Sequence, residues 1–344
     1  MIIQAMTTPP QHPNQTGLAR LSDLSDLSDL SDLSGKVQLS HLGVIRAVGP
    51  DAGTFLQGQL TQDMVNMGLS SARLAAFCNA KGRMQASFIA FKSKSQDGSD
   101  EFLLVCSADI LAQTLKRLSQ FVMRAKVKLS DASQELILYG LAGDIARNAT
   151  NSVAVSAHTH WATHEINHQT TVFLYPGAGV QRALWCAPVG TALPAGPAVS
   201  LNDWLWLEVQ SGIAMVTHPI FEAFVPQMLN YESVGGVSFK KGCYPGQEVV
   251  ARSQFRGTLK RRAYLVHAGG TSNPPAVGQE VFHSSDAEQP CGLVAASAAN
   301  PSGGFDAIVS MQTSAARGGT LTLSSSQGHQ LTLLTLPYPL LEDI

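Results

Sequence analysis

The sequence contains no apolar run of the ~18 residues that a helix needs to cross a bilayer, so no helical membrane span is expected. It contains no Cys-x-x-Cys pair. Its five cysteines, Cys78, Cys106, Cys186, Cys243 and Cys291, are scattered and odd in number. That argues against a disulfide framework, and against a self-contained iron–sulfur cluster, which takes about four thiolates. Isolated thiols fit a reducing compartment. The opening residues Met1 to Met6 include no basic residue, which makes a poor secretory signal, and the expected location is the cytoplasm. Charge is also scarce. Only 14% of residues are charged and the net is -2, so the molecule as a whole has no pull toward nucleic acid. Against these absences stand 344 residues, 44% of them hydrophobic. That is ample for a core divided over two or three domains.

Residues 1–20 are rich in Pro, Gln and Thr, and 21–34 repeat Leu-Ser-Asp with a period of three. That period matches neither a 3.6-residue helix nor a two-residue strand, so no sustained apolar face forms. The expectation for 1–35 is a disordered acidic tether, with a short partner-binding helix as the sharper alternative. Val37 to Val48 reads as strand broken by turns. Asp51 to Gln59 reads as a helix with Asp51 placed to accept free amide hydrogens. Leu74 to Cys78, Met84 to Phe91 and Phe102 to Cys106 read as strands. Ala108 to Phe121 has helical spacing, with Leu111, Leu115 and Leu118 on one face. Val127 to Leu129 and Glu135 to Leu141 read as strands, and Asn202 to Gly212 as a helix. This alternation predicts antiparallel α+β packing over 36–260. After Lys260 only short β-like runs between Gly, Pro, Asn and Ser remain, which predicts a small β-barrel domain over 261–344.

The densest chemistry lies in Lys240-Lys241-Gly242-Cys243-Tyr244-Pro245-Gly246-Gln247-Glu248-Val249-Val250-Ala251-Arg252. A lone thiol sits between two glycines that permit a tight turn or a close approach. Cations beside a thiol favour the reactive thiolate, while a small buried thiol in a β-turn is the plainer reading. From Lys240 to Arg262 seven cations face one acid, Glu248, a local charge of +6. Such a run is a solvated face or an anion site, for a poly-γ-glutamate tail or a tRNA backbone. His158, His160, His164 and His168 form a second cluster. His164 and His168 at i, i+4 would suit zinc on a helix, but the surrounding Thr and Asn favour surface histidines, and no metal site is expected.

The longer motif Lys241-Gly242-Cys243-Tyr244-x-Gly246-Gln247-Glu248-x-x-Ala251-Arg252 resembles the signature of the YgfZ family. Those proteins bind folate and are linked to iron–sulfur cluster assembly and tRNA modification. They are similar in fold to the aminomethyltransferase, or T-protein, of the glycine cleavage system. Gly49-Pro50-Asp51-Ala52 with Phe55 to Asp63 resembles the family's opening motif, and Cys78-Asn79-Ala80-Lys81-Gly82-Arg83-Met84 its second. Phe224-Val225-Pro226-Gln227, Asn230 and Gly235 to Phe239 resemble the approach to the cysteine loop, and Phe255-Arg256-Gly257 its exit. The resemblance spans roughly 36–338.

The resemblance implies an aminomethyltransferase-like α+β fold, with tetrahydrofolate in a central cavity contacted by Gln210, Gln227, Asn230, Lys81, Arg252 and Arg256. It implies Cys243 as a functional thiol near that cavity, iron–sulfur client or assembly proteins as partners, and tRNA contact through Lys240 to Arg262. Two departures shape the function. Asn202 to Gly212 resembles the T-protein's Leu-Glu-Ala-Gly helix, whose glutamate pairs with the pterin. Aligned on the glycine, that position is Gln210, which accepts through one oxygen only; Glu208 lies two residues earlier, on another helical face. The T-protein also has a catalytic aspartate a few residues after its Asn-Ala-x-Gly turn, where Lys81 to Ser87 carries no acid. No group then steers proton transfer at folate N5, and aminomethyl transfer is not expected. The expected function is accessory: tetrahydrofolate binding in support of iron–sulfur enzymes, tRNA-modifying ones included. A one-carbon transferase and a tRNA-binding module are the alternatives.

Overall fold

A computed structural model describes residues 33–95, 98–149, 160–255, 259–270 and 273–341. The tail up to residue 32, His158, Arg256 and Gly257 lie outside the described residues. The chain begins with Gly35–Gln38 (β1), Leu42–Val48 (β2) and Ala52–Gln57 (α1). Ala72–Cys78 (β3), Met84–Lys94 (β4) and Asp100–Ser107 (β5) follow. Next come Ala108–Ser119 (α2), Lys128–Asp131 (β6), Leu136–Ala142 (β7) and Asp144–Asn148 (α3). Thr163–Ile166 (β8), Gln169–Gly177 (β9) and Val180–Pro188 (β10) lead to Leu201–Gln210 (α4) and Gln247–Phe255 (α5). The last strands are Arg261–Ala268 (β11), Glu280–His283 (β12), Asp286–Ala299 (β13), Phe305–Gln312 (β14), Leu321–Leu323 (β15) and Gln330–Leu334 (β16).

Strands β3-β4-β5-β2-β6 make one five-stranded sheet and β1-β7-β10-β9-β8 a second, while β11-β14-β13-β12-β15-β16 close into a barrel. The architecture is the expected aminomethyltransferase-like α+β fold with a small C-terminal β-barrel. Strands β3 to β5 are buried on both faces along most of their length, which requires cover on each side of the sheet. Helix α2 supplies part of it, burying Ile110, Leu111 and Leu118 and leaving Lys116 and Arg117 at its solvent end. One continuous core joins both sheets to α4, and the barrel has a core of its own.

Helix α4 is fixed at its N-terminus and along one face. Ser200 caps it, accepting from the Asp203 amide at 3.0 Å. Its Trp204 packs flat on β7, where a Cβ on Gly140 would lie 2.6 Å from the indole. Glycine is needed there for the helix to approach the sheet.

One local expectation changes. Asp51 does precede α1, but its carboxylate accepts from the distant Lys126 amide at 2.7 Å rather than from the helix. Strands β8 to β10 fill most of the stretch from Thr163 to Pro188. His164 lies within β8 and His168 in the turn after it, so the two do not share a helical face. Among the described residues no group of three potential metal-binding side chains gathers. No helix among them is long and apolar enough to cross a membrane.

Candidate functional site

Both sheets, α4 and the barrel meet around a cavity of about 190 Å³. Leu74, Ile89, Leu174 and Leu205 give it apolar walls, with Trp161 and Tyr175 beside them. Val277 and the barrel residues Ala295, Ala296 and Ser297 close one side. One carboxylate lines it: Glu208, on α4. Its Oε1 accepts from Trp204 Nε1 at 2.8 Å and lies 3.5 Å from the Arg182 guanidinium. The side chain remains 26% exposed. Burial alone would push the Glu208 carboxyl up, but His41, Arg182 and Trp204 outweigh it and hold the group below its ordinary range. Arg182 is itself buried and stacks over Trp204, 4.5 Å from its ring centroid. Burial lowers it to about 10, against the pull of Glu208, so the pair is ionised at neutral pH.

The opposite face of α4 is locked to the barrel. Asp306, fully buried on β14, accepts from Trp206 Nε1 at 2.6 Å, Gln210 Nε2 at 2.6 Å and Asn300 Nδ2 at 2.9 Å. His267 Nδ1 lies 2.7 Å from its other oxygen. Gln210 is therefore a structural tie to the barrel, and it does not line the cavity. Gln227 and Asn230 are also fully buried away from the cavity. Gln227 donates to the Val250 carbonyl at 2.7 Å. Asn230, at φ +59°, meets both backbone groups of Ala263 through its amide.

The cysteine loop forms a second locus, built against the second sequence motif. Gly246, at φ +79°, sits so close to the Asn79–Gly82 turn that a Cβ would lie 2.4 Å from the Asn79 carbonyl oxygen. The motifs around Lys81 and Cys243, 162 positions apart in sequence, thus share one surface. Cys243 and Gly242 are exposed there, as is Lys81. Lys241 turns inward: its ammonium donates to the Gln57 and Leu60 carbonyls and lies 4.6 Å from the Tyr244 ring centroid. Burial lowers it to about 8, against the pull of Asp63 and Cys243. Arg252 pairs with Glu248 at 2.6 Å, and Arg262 with buried Glu232 at 2.7 Å. Arg261 donates to the Cys291 carbonyl. Of these cations Lys241 and Arg262 are turned into the protein, and Arg262 meets an acid outside the run. None of the 240–252 residues lines the cavity.

Sequence reasoning set Glu208 aside because it aligned the T-protein helix on its glycine. The shared Leu-Glu pair, Leu207-Glu208, was the signal that pointed to the cavity.

Antiparallel sheets flanking a central cavity, with an appended barrel, define an aminomethyltransferase-like fold. A family model described as the GCVT N-terminal domain matches residues 27–174. The crystal structure of glycine cleavage system aminomethyltransferase T from Bartonella henselae superposes with a TM-score of 0.63. That match covers 89% of this chain and 86% of that one at 17% identity, and so speaks for the fold alone. Within the class, tRNA-modifying protein YgfZ of Klebsiella pneumoniae is 33% identical over 240 residues, 68% of this chain and 71% of that protein. The protein of the same name from Photorhabdus laumondii is 29% identical over 314 residues, 89% of this chain and 93% of its own length. The chain belongs to the YgfZ family.

Proposed function

We propose that this protein binds a reduced folate in the cavity beside Glu208, and that it supports iron–sulfur enzymes, including those that modify tRNA. The observation that carries the reading is an ionised carboxylate lining a partly open cavity with mostly apolar walls. The 2-amino-4-oxo edge of a pterin offers two adjacent N–H donors, and a carboxylate is the side chain able to accept both. The donor set fits. Glu208 Oε2 lies 3.7 Å from His41 Nε2, beyond hydrogen-bond distance, and the shielded Thr217 hydroxyl on the cavity wall has no partner. A buried polar group of that kind is suited to a ligand. Leu74, Ile89 and Leu174 offer apolar surface for the ring faces.

The name tRNA-modifying protein YgfZ, carried by the relatives, supports a link to tRNA modification in this chain. The link is indirect in this reading. Lys241 and Arg262 are turned to partners within the protein, which leaves fewer cations free for a phosphate backbone. Cys243 presents the exposed thiol to client or assembly proteins in the cytoplasm. The cavity supplies no second carboxylate for proton transfer at folate N5, so aminomethyl transfer is not part of the proposal.

Thermal melting with 5-formyltetrahydrofolate tests the binding step. At 100 times its Kd the ligand adds about 2.7 kcal/mol, a rise of several degrees. An unchanged melting temperature at saturation would remove the folate reading.

A further inference from the structure

Between Asp109 and Asp131 the chain carries five cations, Lys116, Arg117, Arg124, Lys126 and Lys128, and no acid. All five are exposed. Lys116 and Arg117 sit in the last turn of α2, where they offset the negative end of the helix dipole. Arg124, Lys126 and Lys128 lie beyond the helix, so that role does not account for them. Two apolar side chains stand out of the same turn: Phe121 is 43% exposed and Met123 is 89% exposed. Met123 holds φ +39°, a conformation that residues other than glycine adopt at a cost.

This turn is continuous with the cysteine loop. The Phe121 ring forms a T-shaped pair with Phe77, 6.3 Å between centroids, and Phe77 directly precedes the Cys78–Met84 motif. Glu222 accepts from Gln85 at 2.5 Å. That bond and one from Asn79 hold its carboxyl below the ordinary range, with added attraction from Arg117 and Lys81. Arg117 on α2 and Lys81 in the 79–82 turn therefore lie near one carboxylate. Val249 covers that turn from the far side, its Cβ 3.1 Å from where a Cβ on Gly82 would lie. Val249 is itself 39% exposed, and the contact of Gly246 with Asn79 completes the path to Cys243.

We propose that the α2 turn and the cysteine loop form one docking surface, whose partner is a protein presenting carboxylates around an apolar centre. The proposal rests on the reading of Cys243 as the thiol shown to client or assembly proteins, and it gives that partner a chemistry. Charge complementarity sets the sign: the cations of the turn join exposed Lys81 and Lys240 beside the thiol. Phe121 and Met123 are the apolar anchors, of residue types that interfaces favour. A nucleic acid fits less well. The Phe121 ring already packs against Phe77 and is not a free stacking platform. Glu222 lies among the cations, where it repels a phosphate backbone.

The test uses a glutamate-rich and a lysine-rich peptide, each with Leu and Phe beside a cysteine activated as its 2-thiopyridyl disulfide. The Cys243 thiolate attacks the peptide sulfur, a new S–S bond forms, and 2-thiopyridone leaves with the electron pair of the broken one. At low salt the full chain should react at least about tenfold faster with the acidic peptide than with the basic one. The ratio, which cancels the thiol's own reactivity, should shrink as salt rises. The triple variant Lys116→Gln, Arg117→Gln, Arg124→Gln leaves the cysteine loop unchanged and should cut the ratio by about threefold or more. Met123→Gly suits φ +39° and should slow both peptides without altering their ratio. Equal rates for the two peptides, or one ratio in wild type and triple variant, overturn the proposal. Binding of an unmodified tRNA transcript that the triple variant loses, with no peptide preference, assigns the surface to RNA instead. A faster acidic peptide after Asp23→Asn, Asp26→Asn, Asp29→Asn and Asp32→Asn assigns it to the chain's own repeat. If the peptides show no preference while Cys243→Ser fails to complement a strain lacking the gene, the surface falls and the thiol reading stands. Full complementation by Cys243→Ser removes that reading and the proposal with it.

Discussion

Cys243 differs from its four fellow cysteines in one respect, exposure. Burial pushes Cys78, Cys106 and Cys186 up to about 12 and raises Cys291, so they are inert as thiolates at neutral pH. Alkylation of the native protein should therefore label Cys243 alone. Cys243→Ser should remove that label and cost the fold under ~1 kcal/mol, as surface substitutions do. It should also fail to restore iron–sulfur enzyme activity in a strain lacking the gene. Full complementation by the serine variant would reduce Cys243 to a turn residue. The motif around it was legible because glycine spacing and residue type survive in sequence. The cavity was less so. Whether Glu208 or Gln210 faces a ligand depends on helix phase against two partners, the sheet on one side and Asp306 on the other, and neither partner is visible from the helix's own residues.

Among the elements, the strands β3 to β5 and the helix α2 were readable, since apolar period and length agreed there. Helix α5 was not. It begins directly after Gly246 with few apolar residues, of which Val250 is buried, so it shows little periodicity. Its place is set by the contact of Gly246 with the Asn79–Gly82 turn. Gly246→Ala tests that contact. The new methyl would meet backbone at 2.4 to 2.6 Å, at a φ of +79°. The expected cost is about 1–3 kcal/mol, since neither strain nor backbone clash can be relieved by a side-chain movement. Hydrogen exchange should localise the loss to the cysteine loop and the 79–82 turn. A variant as stable as the wild type, with both segments equally protected, would show that the two motifs are not held together by this packing.

For the whole molecule, the decisive joint is Asp306 with Trp206, Gln210, Asn300 and His267. It ties the barrel to the helix that carries Glu208. The hydrogen bond to Asp306 raises His267 above the ordinary histidine value, against burial and with added charge attraction. A group raised on folding stabilises fully below its unfolded pKa, about 6.5, and that stabilisation is lost as pH rises through the folded value. Wild-type protein should thus lose stability between pH 6 and pH 8 by more than His267→Gln does, as read from urea midpoints. Equal losses would detach His267 from the joint. The barrel itself was foreseen from its short β-like runs, but this joint was not, because its links from helix to barrel join residues 96 to 100 positions apart.

The wall of the cavity contributed by Val277, Ala295, Ala296 and Ser297 comes late in the chain. A growing polypeptide folds its N-terminal portions first as it leaves the ribosome. The sheets and Glu208 are then made while the cavity is still an open trough, since its remaining side has not been translated. The proposed ligand site is accordingly complete only after synthesis has passed Ser297.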